Sequence, residues 1–188
     1  VLSASAAGGK EYAEALRHAG LGVPIHSQWD GQTAAQVVAT WREDVGSVLV
    51  GTRSMMTGVD APGETCSLVI IDRVPRSAGN PVDDARVETI MDRQQIDKWT
   101  ADKYVYVSDA SLLLEQSVGR LIRRVTDSGM AVVLDPRLTK TTPIAYNAQS
   151  RQTLLSALDR FHKRTNTYED AIAWLEYRRE ATSVPARA

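Results

Sequence analysis

Arg120 and Arg123 stand three residues apart in the segment Glu115-Gln116-Ser117-Val118-Gly119-Arg120-Leu121-Ile122-Arg123-Arg124. At about 100° per residue, a helix over residues 109–124 gathers Leu114, Val118, Leu121, Ile122 and Val125 on one side and Gln116, Arg120 and Arg123 on the other. Packing accounts for the first stripe but not for the second, whose plain alternative is a solvated helix face. Two features favour a ligand. The residues four positions before the arginines are Gln116 and Gly119, so no acid on the helix neutralises either cation. The guanidinium forks are thereby available to an external anion. Gly119 inside a helix also costs about 1 kcal/mol relative to alanine, which points to the close approach of another backbone or a ligand.

The second chemistry-bearing stretch runs Val48-Leu49-Val50-Gly51-Thr52-Arg53-Ser54-Met55-Met56-Thr57-Gly58-Val59-Asp60-Ala61-Pro62-Gly63. It starts as an apolar strand and becomes a glycine-punctuated loop. Ligands of open α/β sheets bind outside the carboxyl ends of the strands, so residues 52–60 are expected on the functional edge. An ordinary strand-to-helix connection is the competing reading, with Gly58 and Gly63 supplying turn geometry.

Together these stretches resemble superfamily 2 helicases. Gln116-x-x-Gly119-Arg120-x-x-Arg123 is similar to their motif VI, and Ser54-x-x-x-Gly58-x-Asp60-x-x-Gly63 to motif V in the form of the DinG and XPD branch. Val69-Ile70-Ile71-Asp72-Arg73-Val74-Pro75 resembles the strand and proline turn that follow motif V there, with Arg76 where a Phe is usual. Val23-Pro24-Ile25-His26-Ser27-Gln28 has the shape of the motif IV region. The resemblance implies a RecA-like second motor lobe. Arg120 and Arg123 would reach the γ-phosphate of ATP as arginine fingers, and Gln116, Gly119, Gly58 and Asp60 would face the nucleotide. Thr52, Arg53, Ser54 and Gln28 would contact single-stranded DNA. Thr57 departs from the pattern, since a glutamate usually precedes that glycine.

No Gly-x-x-x-x-Gly-Lys-Ser/Thr phosphate loop and no acidic magnesium box occur among the 188 residues. The resemblance places both on a first RecA-like lobe, along with any iron–sulfur cluster. This chain's partners would then be that lobe and single-stranded DNA, and its cofactors ATP and Mg²⁺ would be held jointly. By itself the chain is expected neither to hydrolyse ATP nor to unwind DNA. Two rivals remain: an RNA-directed superfamily 2 lobe, and a RecA-like binding module without catalysis.

The elements that must hold these residues alternate between short β-branched runs and amphipathic helix-length stretches. Strands are expected near residues 1–5, 23–27, 47–51, 67–74 and 129–135, and helices over 9–18, 33–44, 82–101 and 109–124, the last capped by Asp109. Strands such as Leu68-Val69-Ile70-Ile71 are apolar at consecutive positions, as in a parallel sheet covered on both faces. The expected fold is α/β, a RecA-like three-layer α/β/α domain with a mostly parallel central sheet and a helical C-terminal tail. Residues 1–150 form the lobe, and 151–188 a helical extension of the same domain with helices near 153–161 and 167–179.

With 43% hydrophobic residues the chain can bury a core. Lys and Arg (22) nearly balance Asp and Glu (23), so no overall basic field draws in nucleic acid, and DNA contacts must come from hydroxyls and backbone amides. One cysteine, Cys66, excludes a Cys-only metal site within the chain, and three scattered histidines make no metal set. No apolar run approaches the roughly 20 residues of a membrane span. A cytoplasmic protein is expected. Trp41 and Trp174 read as core, whereas Trp29, beside Gln28, either packs at a rim or stacks on a base.

Overall fold

In a computed structural model, residues 1–55, 66–76, 79–119, 121, 128–140 and 142–183 are described. They form strands β1 (Leu2–Ser3), β2 (Ile25–Ser27), β3 (Val48–Thr52), β4 (Leu68–Ile71) and β5 (Met130–Val133). The helices are α1 (Ala6–His18), α2 (Ala34–Glu43), α3 (Pro81–Gln94), α4 (Lys98–Val118), α5 (Ala148–Ser156) and α6 (Tyr168–Ser183). The strands make one sheet in the order β2-β3-β1-β4-β5, and every pairing is parallel. The three-layer α/β architecture expected from the alternation of elements is the one observed.

Each helix on the sheet starts where a short polar side chain satisfies an orphan amide. Ser5 accepts from the Gly8 N–H ahead of α1, and Thr33 closes a capping box with Gln36 ahead of α2. Asn80 caps α3 with Pro81 in the first turn. The core lies where these helices meet the strands: Val50, Ile71, Val37 and Leu114 are fully buried. Trp41 packs with Val38, Leu49 and Cys66, which fits the reading of both Trp41 and Cys66 as apolar packing groups.

Helix boundaries differ from the sequence reading in several places: α1 starts at Ala6 rather than at residue 9, α5 spans Ala148–Ser156 rather than 153–161, and α6 continues to Ser183 rather than 179. The expected helix over 82–101 is broken: α3 stops at Gln94, Gln95 takes a left-handed conformation (φ 52), and α4 begins after the cap Asp97. Asp109 therefore caps nothing. It lies inside α4 and accepts from Arg86 on α3 at 2.8 and 2.9 Å. At the other end α4 stops at Val118, so Gly119 is a C-cap with φ −62 and ψ −9, not a mid-helix residue.

Residues 1–158 make one compact unit and residues 159–188 a second. In the first, α5 packs on α4: Leu154 is fully buried beside Val74, Val107 and Ala110. In the second, Trp174 is half-buried and carries the Arg178 guanidinium 5.8 Å from its ring centre. No helix among the described residues is long and apolar enough to cross a membrane.

Candidate functional site

A parallel sheet presents all its carboxyl ends along one edge, and five exits converge there. β2 leads into Gln28, β3 into Thr52 and Ser54, β1 into Ser5, β4 into Asp72 and β5 into Asp135.

Gln28 is placed by the register of β2 on β3. Ser27 stands beside Val50, and the Gln28 N–H donates to the Val50 carbonyl at 2.9 Å, extending the ladder by one residue. The exit itself is fastened from behind. Asp30 accepts from the Ser27 N–H at 2.8 Å, and both of its carboxylate oxygens accept from the Arg17 Nη2 at 2.8 Å. Trp29 turns back onto α1, and a β-carbon on Gly9 would stand 2.1 Å from its ring. Only glycine fits there, and the indole is engaged in packing, as the rim-packing reading of Trp29 requires.

With its backbone fixed, Gln28 reaches the start of the next loop. Its Oε1 accepts from the Thr52 N–H at 2.8 Å and from the Thr52 hydroxyl at 2.9 Å, and its Nε2 donates to the Ser54 hydroxyl at 3.0 Å. The two hydroxyls are 3.0 Å apart. Residues Arg53–Met55 form a 3-10 turn, and Met55 tucks under the strand against Gly51. A β-carbon on Gly51 would come within 2.3 Å of the Met55 Cγ and 3.2 Å of the Gln28 Oε1, so this glycine admits both. Gln28, Thr52 and Ser54, three of the expected DNA contacts, are thus brought into one cluster on the carboxyl edge. Ser54 is exposed there. Gly58 and Asp60 lie outside the described residues, as do Arg120 and Arg123.

The neighbouring exits are locked by carboxylates that the sequence reading did not single out. Asp72 accepts from the Ser3 hydroxyl and the Ala4 N–H, both at 2.9 Å, tying the end of β4 to the turn into α1. Asp135 accepts from the Val74 N–H at 3.0 Å and from the Arg137 guanidinium at 2.6 to 3.2 Å. The signal that could have found both was an aspartate directly after, or two residues after, an apolar strand.

The described part of the arginine segment lies elsewhere. Leu121, buried, reaches Gly129 and Ser67: its Cδ2 and the Ser67 carbonyl both stand 2.9 Å from where a Gly129 β-carbon would be. Gly129 and Ser67 precede β5 and β4, so Leu121 belongs to the amino edge of the sheet. Gln116, on the last turn of α4, is exposed. Of the polar stripe expected across residues 116–123, α4 carries Gln116, while Arg120 and Arg123 lie outside the described residues. What survives of the opposite stripe is its apolar half: Leu114, Val118 and Leu121 are all buried.

Elsewhere, a cleft of about 290 Å³ between α4 and α5 is walled by groups such as Tyr104, Ser111 and Gln149 and holds no acid–base pair. Among the described residues no three His, Cys, Asp or Glu side chains come together as a cation site.

Comparison with known proteins gives this geometry a family. Residues 1–156 match the family described as the helicase C-terminal domain. The ATP-dependent helicase DinG of Mycobacterium tuberculosis is 40% identical over 126 residues, which cover 66% of this chain and 18% of the relative. The ATP-dependent DNA helicase YoaA of Escherichia coli is 37% identical over 133 residues, 69% of this chain and 20% of the relative. The protein named 3'-5' exonuclease DinG in Bacillus subtilis is 30% identical over 109 residues, 57% and 11% respectively. The chain therefore spans about a fifth or less of the relatives it matches. The parallel sheet, the order of the loops and the extent of the match make it a member of the helicase C-terminal domain family, of the DinG-like kind.

Proposed function

We propose that this chain is the second motor lobe of an ATP-dependent DNA helicase of the DinG/XPD type, completing an ATP site whose other half lies on a first RecA-like lobe. The observation that carries this reading is the Gln28, Thr52 and Ser54 cluster on the carboxyl edge of a sheet whose sequence matches the helicase family throughout. Hydroxyls and amides held at fixed positions can contact a nucleic-acid backbone without a net positive charge, and the chain as a whole has a formal charge of −1.

In this reading Thr52, Arg53 and Ser54 touch single-stranded DNA at the carboxyl edge. Gln116, Gly119, Gly58 and Asp60 face the nucleotide, and Arg120 and Arg123 neutralise charge that develops on the transferred phosphoryl group. The magnesium that accompanies ATP is held by the first lobe, and the present chain supplies no phosphate loop. Residues 151–188 extend the lobe with helices. Closing and opening of the two lobes around ATP then moves the strand along the DNA edge.

The test is Arg120→Ala in the full-length protein. A finger role lowers DNA-stimulated ATP turnover by about 10³ to 10⁵ while leaving DNA affinity nearly intact. Unchanged turnover removes the role from Arg120.

A further inference from the structure

We propose that Gln28 is a positioning residue: it sets the turn that carries Thr52 and Ser54, and acts on nucleic acid only through them. The DNA side of this inference rests on the function proposed above, but the positioning itself does not.

The orientation of the Gln28 amide follows from its neighbours. A backbone N–H can only donate, so the atom 2.8 Å from the Thr52 nitrogen must be the carbonyl oxygen. The amide nitrogen then faces Ser54, and since it too can only donate, the Ser54 hydroxyl accepts from it. One side chain thus fixes a backbone amide and two hydroxyls across a sequence gap of 24 to 26 residues. Its own freedom is already removed by the Gln28 to Val50 ladder bond and by the Asp30 and Arg17 brace behind it. The turn it fixes is a 3-10 turn of three residues, too short to hold its own shape. Gln28 is only partly exposed, whereas Ser54 is exposed. The geometry of a rigid support behind an outward-facing hydroxyl is what preorganised binding requires.

Gln28→Met, Gln28→Glu, Ser54→Ala and the Gln28→Met/Ser54→Ala pair in the full-length protein test the idea with two readouts. The first is amide deuterium uptake across residues 51–55. Gln28→Met, which keeps length but makes no hydrogen bond, should speed exchange there and nowhere else. Gln28→Glu, which still offers an acceptor to the Thr52 N–H, should restore most of the protection.

The second readout is the affinity for an oligo(dT) strand, measured together with DNA-stimulated ATP turnover. Gln28→Met and Ser54→Ala should each weaken binding about tenfold, the scale of one net hydrogen bond. The double variant should bind no more weakly than the worse single one. Multiplicative losses in the double variant would mean that Gln28 touches DNA directly. Unchanged uptake in Gln28→Met would overturn the positioning role. If the unaltered protein does not bind oligo(dT), the function proposed above fails, and the uptake measurement alone decides the role of Gln28.

Discussion

At the scale of single residues, the most constrained charge in the described chain is Asp135, only 3% exposed. Burial by itself raises its carboxyl, but hydrogen bonds from the Arg137 side chain and from the Val74 and Arg137 amides outweigh burial and bring it below the usual carboxylate range. The contribution of this depressed group is present above the unfolded value, about 4, and is lost as pH falls through the lower folded value. Arg137 is itself steadied by Tyr146, whose ring centre lies 4.9 Å from the guanidinium. Arg137→Ala leaves the buried carboxylate with amides only. The expected loss is about 3 kcal/mol at neutral pH. The sign of the pH dependence also reverses: with burial dominant, the carboxyl of the variant moves above its unfolded value, so protonation relieves the defect. Urea unfolding at about pH 7 and about pH 5 should show the deficit shrinking on acidification. An equal deficit at both would mean that the ion pair is not what Arg137 contributes.

At the scale of elements, strands were legible and helix ends were not, and the break between α3 and α4 shows why. Buried strands announce themselves by consecutive apolar residues such as Leu68 to Ile71, a pattern that the two covered faces of a parallel sheet demand. The residues Met91 to Lys98 contain neither glycine nor proline, so nothing local forbids one long helix. The chain breaks because α3 must turn to pack along α4, with Val87, Ala101 and Val105 buried between them and Arg86 reaching Asp109. That is a tertiary demand, and it forces Gln95 into a left-handed conformation that side chains with a β-carbon adopt at a cost of about 1–2 kcal/mol. Gln95→Gly should therefore stabilise the domain by up to about 1 kcal/mol once the extra freedom of glycine in the unfolded chain is set against the relief. Asp97→Ala should destabilise it by about 1 kcal/mol, because the Thr100 amide and hydroxyl both bond to the Asp97 carboxylate. Denaturant midpoints of the two variants must move in opposite directions. A shared direction would show that the hairpin is not held by its turn. The same limit hid the bonds that Gln28 makes: Thr52 and Ser54 follow it by 24 and 26 residues, and the β2–β3 register brings them together.

At the scale of the whole lobe, the sequence assigns two roles to one domain, DNA contact at Thr52 and Ser54 and phosphate contact at Arg120. Thr52 and Ser54 stand at the carboxyl edge, and Leu121 packs against Gly129 at the amino edge. A strand of five residues separates the edges by about 15 Å. If DNA meets Ser54 and ATP meets Arg120, the two side chains serve different ligands, and their mutational effects should add. Ser54→Ala in the full-length protein should then weaken oligonucleotide binding about tenfold with turnover at saturating DNA preserved. Arg120→Ala should cut turnover by about 10³ or more with binding preserved. The double variant should show both losses at full size, within about 0.5 kcal/mol of their sum. The decisive quantities are the dissociation constant from fluorescence anisotropy and the turnover number at saturating DNA, measured on all four proteins. Should the second substitution lose its effect in the presence of the first, the two residues would belong to one site, and the separate DNA and nucleotide roles proposed for them would be wrong.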